Sequence, residues 1–193
     1  MSPDKKQIEI ELRAMFDEEK FNSLKKQLDE KAEYLGQDDK DVYFFIFPDK
    51  LLKVTDNVSK ESAKITLKLN RIGKGSDFEE IEFPIKREDV KKAADVFNKL
   101  DLTDNIMHSP QKRHNYLYKD VELALKWSPE WQYHLELEVV VEDAEHKDEA
   151  EQKIRSVAAE LGVKLMTEKE LAKFVKKVEE EKRKEREKVQ SPK

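Results

Sequence analysis

Apolar and polar residues alternate strictly along several short runs of the chain. In Gln7-Ile8-Glu9-Ile10-Glu11-Leu12-Arg13 the odd positions are polar and the even ones apolar. A period of two marks a strand with one face buried and the other polar. Residues 64–70, 80–83, 121–127 and 134–139 repeat the pattern. Weaker strand signals lie at 42–47, 51–55, 105–108 and 113–118, which makes eight or nine strands, mostly at hairpin-like spacing.

Helical periods fall between and after these runs. Asp17 is placed to cap a helix carrying Phe21, Leu24, Leu28, Ala32 and Leu35 on one face, with Gly36 as its stop. A second stripe joins Val90, Ala93, Phe97 and Leu100, and a third joins Ala150, Ile154, Val157 and Leu161 before Gly162. Thr167-Glu168-Lys169-Glu170 reads as a capping box that opens a fourth helix with Leu171, Phe174, Val175 and Val178. Residues 179–188 are then all charged, five of each sign, which predicts a solvated helix supported by i,i+4 pairs. Gly73-Lys74-Gly75-Ser76 lacks the spacing of a P-loop and sits between two strands, so a hairpin turn is expected there. No Gly/Ser/Pro-rich linker divides the chain; residues 1–165 read as one domain and 166–193 as a charged helix and tail.

Composition sharpens this picture. Charged residues make up 42% of the 193, against about 25% in an average domain. Lys+Arg 38 against Asp+Glu 43 leaves a net charge of −5, which excludes a strongly basic nucleic-acid-binding domain, whose pI would lie above about 9. No run approaches the roughly 18 apolar residues of a membrane span, and the first residues lead into no apolar signal region. A cytoplasmic protein is therefore expected. Cysteine is absent, which removes disulfides, thiol nucleophiles and thiolate zinc sites. His108, His114, His134 and His146 are scattered without ligand spacing.

The remaining question is where so much charge goes. Residues i and i+2 of a strand share a face, so Glu9, Glu11 and Arg13 point one way, as do Glu136 and Glu138. Lys64, Thr66 and Lys68 line up likewise, and so do Glu80 with Glu82 and Glu122 with Lys126. These faces could be solvated outer faces of antiparallel sheets. The helices, however, carry apolar stripes that must cover the apolar sheet faces. A sheet closed on itself, apolar outside beneath helices and polar within, satisfies both demands. Carboxylates spaced about 7 Å along a strand suit a hard divalent cation, and lysines and arginines beside them suit phosphate oxygens.

Ile8-Glu9-Ile10-Glu11-Leu12-Arg13 resembles the E-x-E-x-K signature of the CYTH, or triphosphate tunnel metalloenzyme, superfamily, which includes class IV adenylyl cyclases, thiamine triphosphatases and inorganic triphosphatases. Val42-Tyr43-Phe44, Leu52-Lys53-Val54-Thr55, Ile65-Thr66-Leu67-Lys68, Glu80-Ile81-Glu82, Lys112-Arg113-His114-Asn115-Tyr116 and Leu135-Glu136-Leu137-Glu138 follow in the family's order. The resemblance implies an α+β fold: a closed antiparallel eight-stranded β-barrel, the triphosphate tunnel, covered by helices and followed by the charged C-terminal helix. It implies that Glu9, Glu11, Glu136 and Glu138 hold Mg²⁺ or Mn²⁺, with Glu9, Glu11 and Arg13 as the catalytic set. Lys53, Lys68, Lys112 and Arg113 would bind phosphate, and Lys64, Glu80, Glu82, Glu122 and Lys126 would line the lumen.

The activity so implied is metal-dependent hydrolysis of a triphosphate compound, in which water attacks the terminal phosphorus. The alternatives are a non-catalytic polyphosphate- or nucleotide-binding module and a class IV-type adenylyl cyclase, in which the ribose 3′-hydroxyl attacks the α-phosphorus. The expected partner is a triphosphate-containing small molecule rather than DNA, RNA or a membrane, with a homodimer left open. Several positions depart from the family pattern. Arg13 replaces the signature lysine, Lys53 and Thr55 replace two arginines, and Gln111 stands where a lysine is expected, with Lys112 beside it. Lys126 stands where the family has a metal-binding Asp; it would repel a cation, or pair with Glu122 or Glu138.

Overall fold

The computed structural model describes residues 8–69 and 77–190. Nine strands and four α-helices follow one another in the order β1 (Ile8–Met15), α1 (Glu18–Lys31), β2 (Glu33–Gln37), β3 (Lys40–Ile46), β4 (Leu51–Asn57), β5 (Ser62–Lys68), β6 (Asp77–Ile85), α2 (Val90–Lys99), β7 (Ile106–Tyr118), β8 (Val121–Ser128), β9 (Gln132–Val141), α3 (Lys147–Glu160) and α4 (Glu168–Gln190). The hairpin expected around Gly73 lies outside the described residues.

All pairings are antiparallel. They run β7-β3-β4-β5-β6-β1-β9-β8, and β8 returns to β7 to close the ring. β2 and β3 lie along the same edge of β7, with Gln37 opposite His114 and Lys40 opposite Gln111 in one unbroken register. They act as one strand bent at Asp38-Asp39, so the ring is an eight-stranded barrel.

The barrel is apolar outside and carries its charged side chains inside, beside an apolar end. Ile10, Ala14, Leu123, Leu125, Leu135 and Leu137 face outward and are buried by Leu24 and Leu28 of α1 and by Ala150, Ile154 and Val157 of α3. On the opposite wall, Val90 and Ala94 of α2 cover Phe45, Val54 and Ile65. Burial of this outer layer is what holds the helices on, at about 25 cal/mol per Å² of apolar surface removed from water. Among the described residues, no helix is long and apolar enough to cross a membrane.

Two elements differ from the sequence expectation. The helix from Asp17 stops at Lys31 rather than running to Gly36, and residues 33–37 become β2. Here sheet pairing overrides helical periodicity: β7 offers an edge at residues 114–117, and Tyr34 packs on Tyr116 with its hydroxyl 3.1 Å from His114 Nδ1. Gly36, at φ +108, serves the bulge in this pairing and not a helix end. The two strand signals at 105–108 and 113–118 are one continuous strand, β7. Its Pro110 lies where β3 is the single paired neighbour, since β8 pairing begins at Lys112.

The capping box forms as expected: Glu170 N–H donates to Thr167 Oγ1 at 3.2 Å, and Thr167 N–H donates to Glu170 Oε2 at 2.8 Å. α4 is not wholly solvated. Val178 packs on Val42, Phe44, Leu51 and Met107 from the barrel interior, and Phe174 meets Trp131 edge-on at 5.0 Å. Lys182 Nζ lies 3.2 Å from the buried carboxylate of Glu130, so the charged run contributes Glu179 and Lys182 to the lumen wall.

Candidate functional site

The barrel encloses a cavity of about 270 Å³. At one end it is apolar, walled by Val42, Phe44, Ile46, Leu51, Met107 and Val178; elsewhere charged side chains line it. The strand registers sort those charges into rows. Glu122, Glu138 and Glu11 stand directly opposite one another across β8, β9 and β1. Arg13 stands opposite Glu136, and Lys68 opposite Glu80. Arg113 stands opposite Lys126.

Each cation closes on the acids nearest to it. Lys68 Nζ is 3.1 Å from Glu9 Oε2 and 3.9 Å from Glu11 Oε2, and also contacts Glu80. Burial disfavours the Lys68 ammonium, yet Glu11, Glu80 and Glu9 more than offset this and raise its pKa. Arg13 contacts Glu11 and reaches Glu136 Oε1 at 3.2 Å through Nε, with its guanidinium over the Trp131 ring. Lys126 Nζ donates to Glu136 Oε2 at 2.9 Å. Burial would raise the Glu136 carboxyl, but Lys126 and Arg13 hold it well below the usual carboxylate range.

Other lumen groups are displaced the other way. Burial, then the negative charges of Glu9 and Glu11, push Glu138 up to about 8. Burial and the neighbouring Lys68 push the Lys53 ammonium down to about 7. His134 is buried next to Lys126 and falls to about 4, so its ring is neutral, with Nδ1–H donating to the Gln132 carbonyl at 2.9 Å.

Of the residues singled out from the sequence, Glu9, Glu11, Arg13, Lys53, Lys64, Lys68, Glu80, Arg113, Glu122, Lys126, Glu136 and Glu138 all line this cavity. Lys112 does not. Between inward-facing Gln111 and Arg113 it must face outward, where its ammonium is 3.3 Å from Asp39. Glu82 is also absent from the lining: it sits at the exposed end of β6, paired with Lys64. Lys126 pairs with Glu136 rather than with Glu122 or Glu138. Other lumen residues carry no clear signal in the sequence, Lys40 and His134 among them. Lys40 is followed on its strand face by Val42 and Phe44, so its run looked apolar, and His134 looked structural for want of a ligand partner.

Among the described residues, no three acidic or imidazole groups converge at ligating distance as they stand. The chemistry of one row nevertheless suits a hard ion. Glu11 and Glu138 are directly opposed carboxylates with Glu9 alongside; Arg13 and Lys68 hold Glu11, and Glu138 is driven to hold a proton. Like charges so placed destabilise a sheet and a cation between them relieves this. Glu9, Glu11 and Glu138 therefore fit a single Mg²⁺ or Mn²⁺ once they turn from Lys68 and Arg13. Glu136 is the acid most tightly held by protein cations, with Arg13 donating to its Oε1 and Lys126 to its Oε2.

The sequence matches the CYTH domain over residues 7–175. The chain belongs to the CYTH family. No curated protein matches the sequence, but solved structures do. The PH1012 protein of Pyrococcus horikoshii is similar at 26% identity and TM-score 0.65, over 81% of this chain and 91% of that one. A putative adenylate cyclase from Vibrio parahaemolyticus shares the fold at 13% identity and TM-score 0.61, over 82% and 90%. A putative adenylyl cyclase from Hippeastrum with a dominant triphosphatase activity shares it at 14% identity and TM-score 0.57, over 82% and 89%.

Proposed function

We propose that this CYTH protein is a divalent-metal-dependent hydrolase of a triphosphate compound. The observation that carries the reading is that one cavity is lined both by the all-acid row Glu11, Glu138 and Glu122 and by the inward cations Lys53, Lys68 and Arg113 of other strands. A polyphosphate chain needs cations along its length, and a metal ion needs acids beside it. Glu9, Glu11 and Glu138 would hold the metal, which when bound polarises phosphoryl oxygens and neutralises charge that develops in the transition state. Lys53, Lys68 and Arg113 would bind phosphate oxygens and align the chain along the lumen. Lys53, near neutrality when the lumen holds no ligand, takes up a proton as the oxygens arrive. The closed wall of strands keeps these charges out of bulk water, which strengthens each contact.

Phosphate release from tripolyphosphate, thiamine triphosphate and ATP with Mg²⁺ or Mn²⁺ tests the proposal. Glu9→Gln is expected to slow release by at least about 100-fold, since even outer partners of metal ligands cost 10–100-fold in metal affinity. Absence of release from all three, or release unchanged in Glu9→Gln, overturns it. A second reading, binding without turnover, is favoured by the commitment of Glu136 to Lys126; tight calorimetric binding of tripolyphosphate without hydrolysis would select it. Cyclic AMP from ATP in the same assay would select the cyclase alternative.

A further inference from the structure

Arg113 and Lys126 are cross-strand partners inside the barrel. Like charges directly opposite repel, and the interior screens them poorly. Lys40 adds a third cation: it pairs with Gln111, so it lies diagonally across from Arg113 on the neighbouring strand. All three line the same cavity.

Among the described residues, two carboxylates form ion pairs with these three cations, and neither is dedicated to them; Glu11 acts on Lys126 and Glu138 meets the charge of Arg113 only from farther off. Asp38 lies 3.0 Å from Lys40 and 3.6 Å from Arg113, but also 3.3 Å from Lys60. Glu136 accepts from Lys126, but also from Arg13. Glu122, four residues from Lys126 along β8, stands opposite Glu138 instead. His134, directly opposite Lys126, is neutral. Positive charge is left over in this corner, and burial together with Arg113 accordingly pushes the Lys40 ammonium down to about 8.

We propose that Lys40, Arg113 and Lys126 form an anion subsite that takes a phosphate group of the polyphosphate chain without help from a divalent cation. The inference deepens the triphosphate reading and depends on it. The guanidinium offers a planar fork and the two ammoniums offer point charges, which suits a tetrahedral group with several exposed oxygens. Ser109 and Gln111 face the same space from β7 as neutral polar neighbours. The lumen then holds its ligand in two halves, one through a metal on Glu9, Glu11 and Glu138 and one through protein cations alone. Lys126 in this arrangement supplies with its own ammonium a positive charge that would otherwise have to come from an ion.

Calorimetry with tripolyphosphate, run once in EDTA and once with Mg²⁺, tests this. The wild-type chain is expected to bind in EDTA, and Lys126→Met to bind at least about tenfold more weakly there, as the loss of one charge-assisted contact implies. Lys126→Arg should retain binding. Lys40→Met should show the same loss while leaving the Lys126–Glu136 pair in place, which separates an anion contact from a folding defect at Glu136. Binding with Mg²⁺ but none in EDTA, or EDTA binding unchanged in both Met variants, overturns the subsite and spares the triphosphate reading. No binding under either condition overturns both.

Discussion

Replacing Lys68 with methionine is expected to lower the stability of the ligand-free protein by about 3–5 kcal/mol, the usual cost of removing one partner from a buried ion cluster. Lys68 is one ammonium facing three carboxylates, those of Glu9, Glu11 and Glu80. Without it these largely buried acids repel one another, with Lys53 acting on Glu80 and Arg13 on Glu11 as the cations left beside them. For a chain of this length such a loss corresponds to a fall in Tm of about 6–20 °C. Mg²⁺ should recover part of the fall, because the freed Glu9 and Glu11 are then available to an ion; in the wild type they are partly occupied by Lys68 and Arg13. Thermal melts of both proteins in EDTA and in Mg²⁺ check this, with Lys119→Met at the exposed pair with Glu160 as a control that should leave Tm unchanged. A fall of only a degree or two in EDTA would show that the lumen charges are screened by water.

Much of this was legible in the sequence, for an identifiable reason. A strand that alternates apolar and charged residues declares both of its faces, so Glu9-x-Glu11-x-Arg13 and Glu136-x-Glu138 could be assigned to one side before any partner strand was known. The apolar stripes of the helices then said which side was covered, and a closed barrel with a charged lumen followed. What alternation cannot supply is registry. Whether Lys126 meets Glu122, Glu136 or Glu138 depends on which residues of β8 and β9 stand opposite, and that is set by a hairpin turn several residues away. The same blindness misplaced Lys112, where a shift of one residue moves a side chain from lumen to surface. Lys40 was missed because local pattern weighs it with apolar Val42 and Phe44, although all three share one inward face. β2 failed differently: its apolar spacing fits a helix, and only the available edge of β7 makes it a strand.

Registry also changes what the departures from the family pattern mean. Lys126 read alone suggests a damaged metal site. Beside Glu136, Arg13 and Arg113 it belongs to a lumen in which one row, Glu122-Glu138-Glu11, is all acidic while Arg113 and Lys126 stand opposite each other as cations. A site so divided can bind a highly charged anion while keeping the net charge of the whole chain at −5, because each row is balanced by its neighbour and not by the surface.

Glu138 gives the sharpest consequence of that division. Its carboxyl is pushed up to about 8 from the usual 4.5 by burial and by Glu9 and Glu11. Between those two values the folded chain holds a proton that the unfolded chain has lost, so stability falls as pH rises through the window, and the full cost is present above pH 8. The slope is at most about 1.4 kcal/mol per pH unit, or about 3–6 °C in Tm. Lys53 and Lys40 act in the opposite sense: their ammoniums, pushed down to about 7 and about 8, cost stability at low pH, and that cost is relieved as pH rises. Both remain in Glu138→Gln, so the difference between the two proteins isolates Glu138. In EDTA at pH 8.5 the Gln variant is expected to melt higher than the wild type, with a flatter profile between pH 5 and 8.5. A divalent ion reverses the order. It must displace the Glu138 proton to bind there, so Mn²⁺ should stabilise the wild type increasingly as pH rises and stabilise Glu138→Gln little at any pH. Parallel pH profiles in EDTA would remove the buried proton from Glu138, and equal Mn²⁺ shifts in the two proteins would remove Glu138 from the metal's ligands.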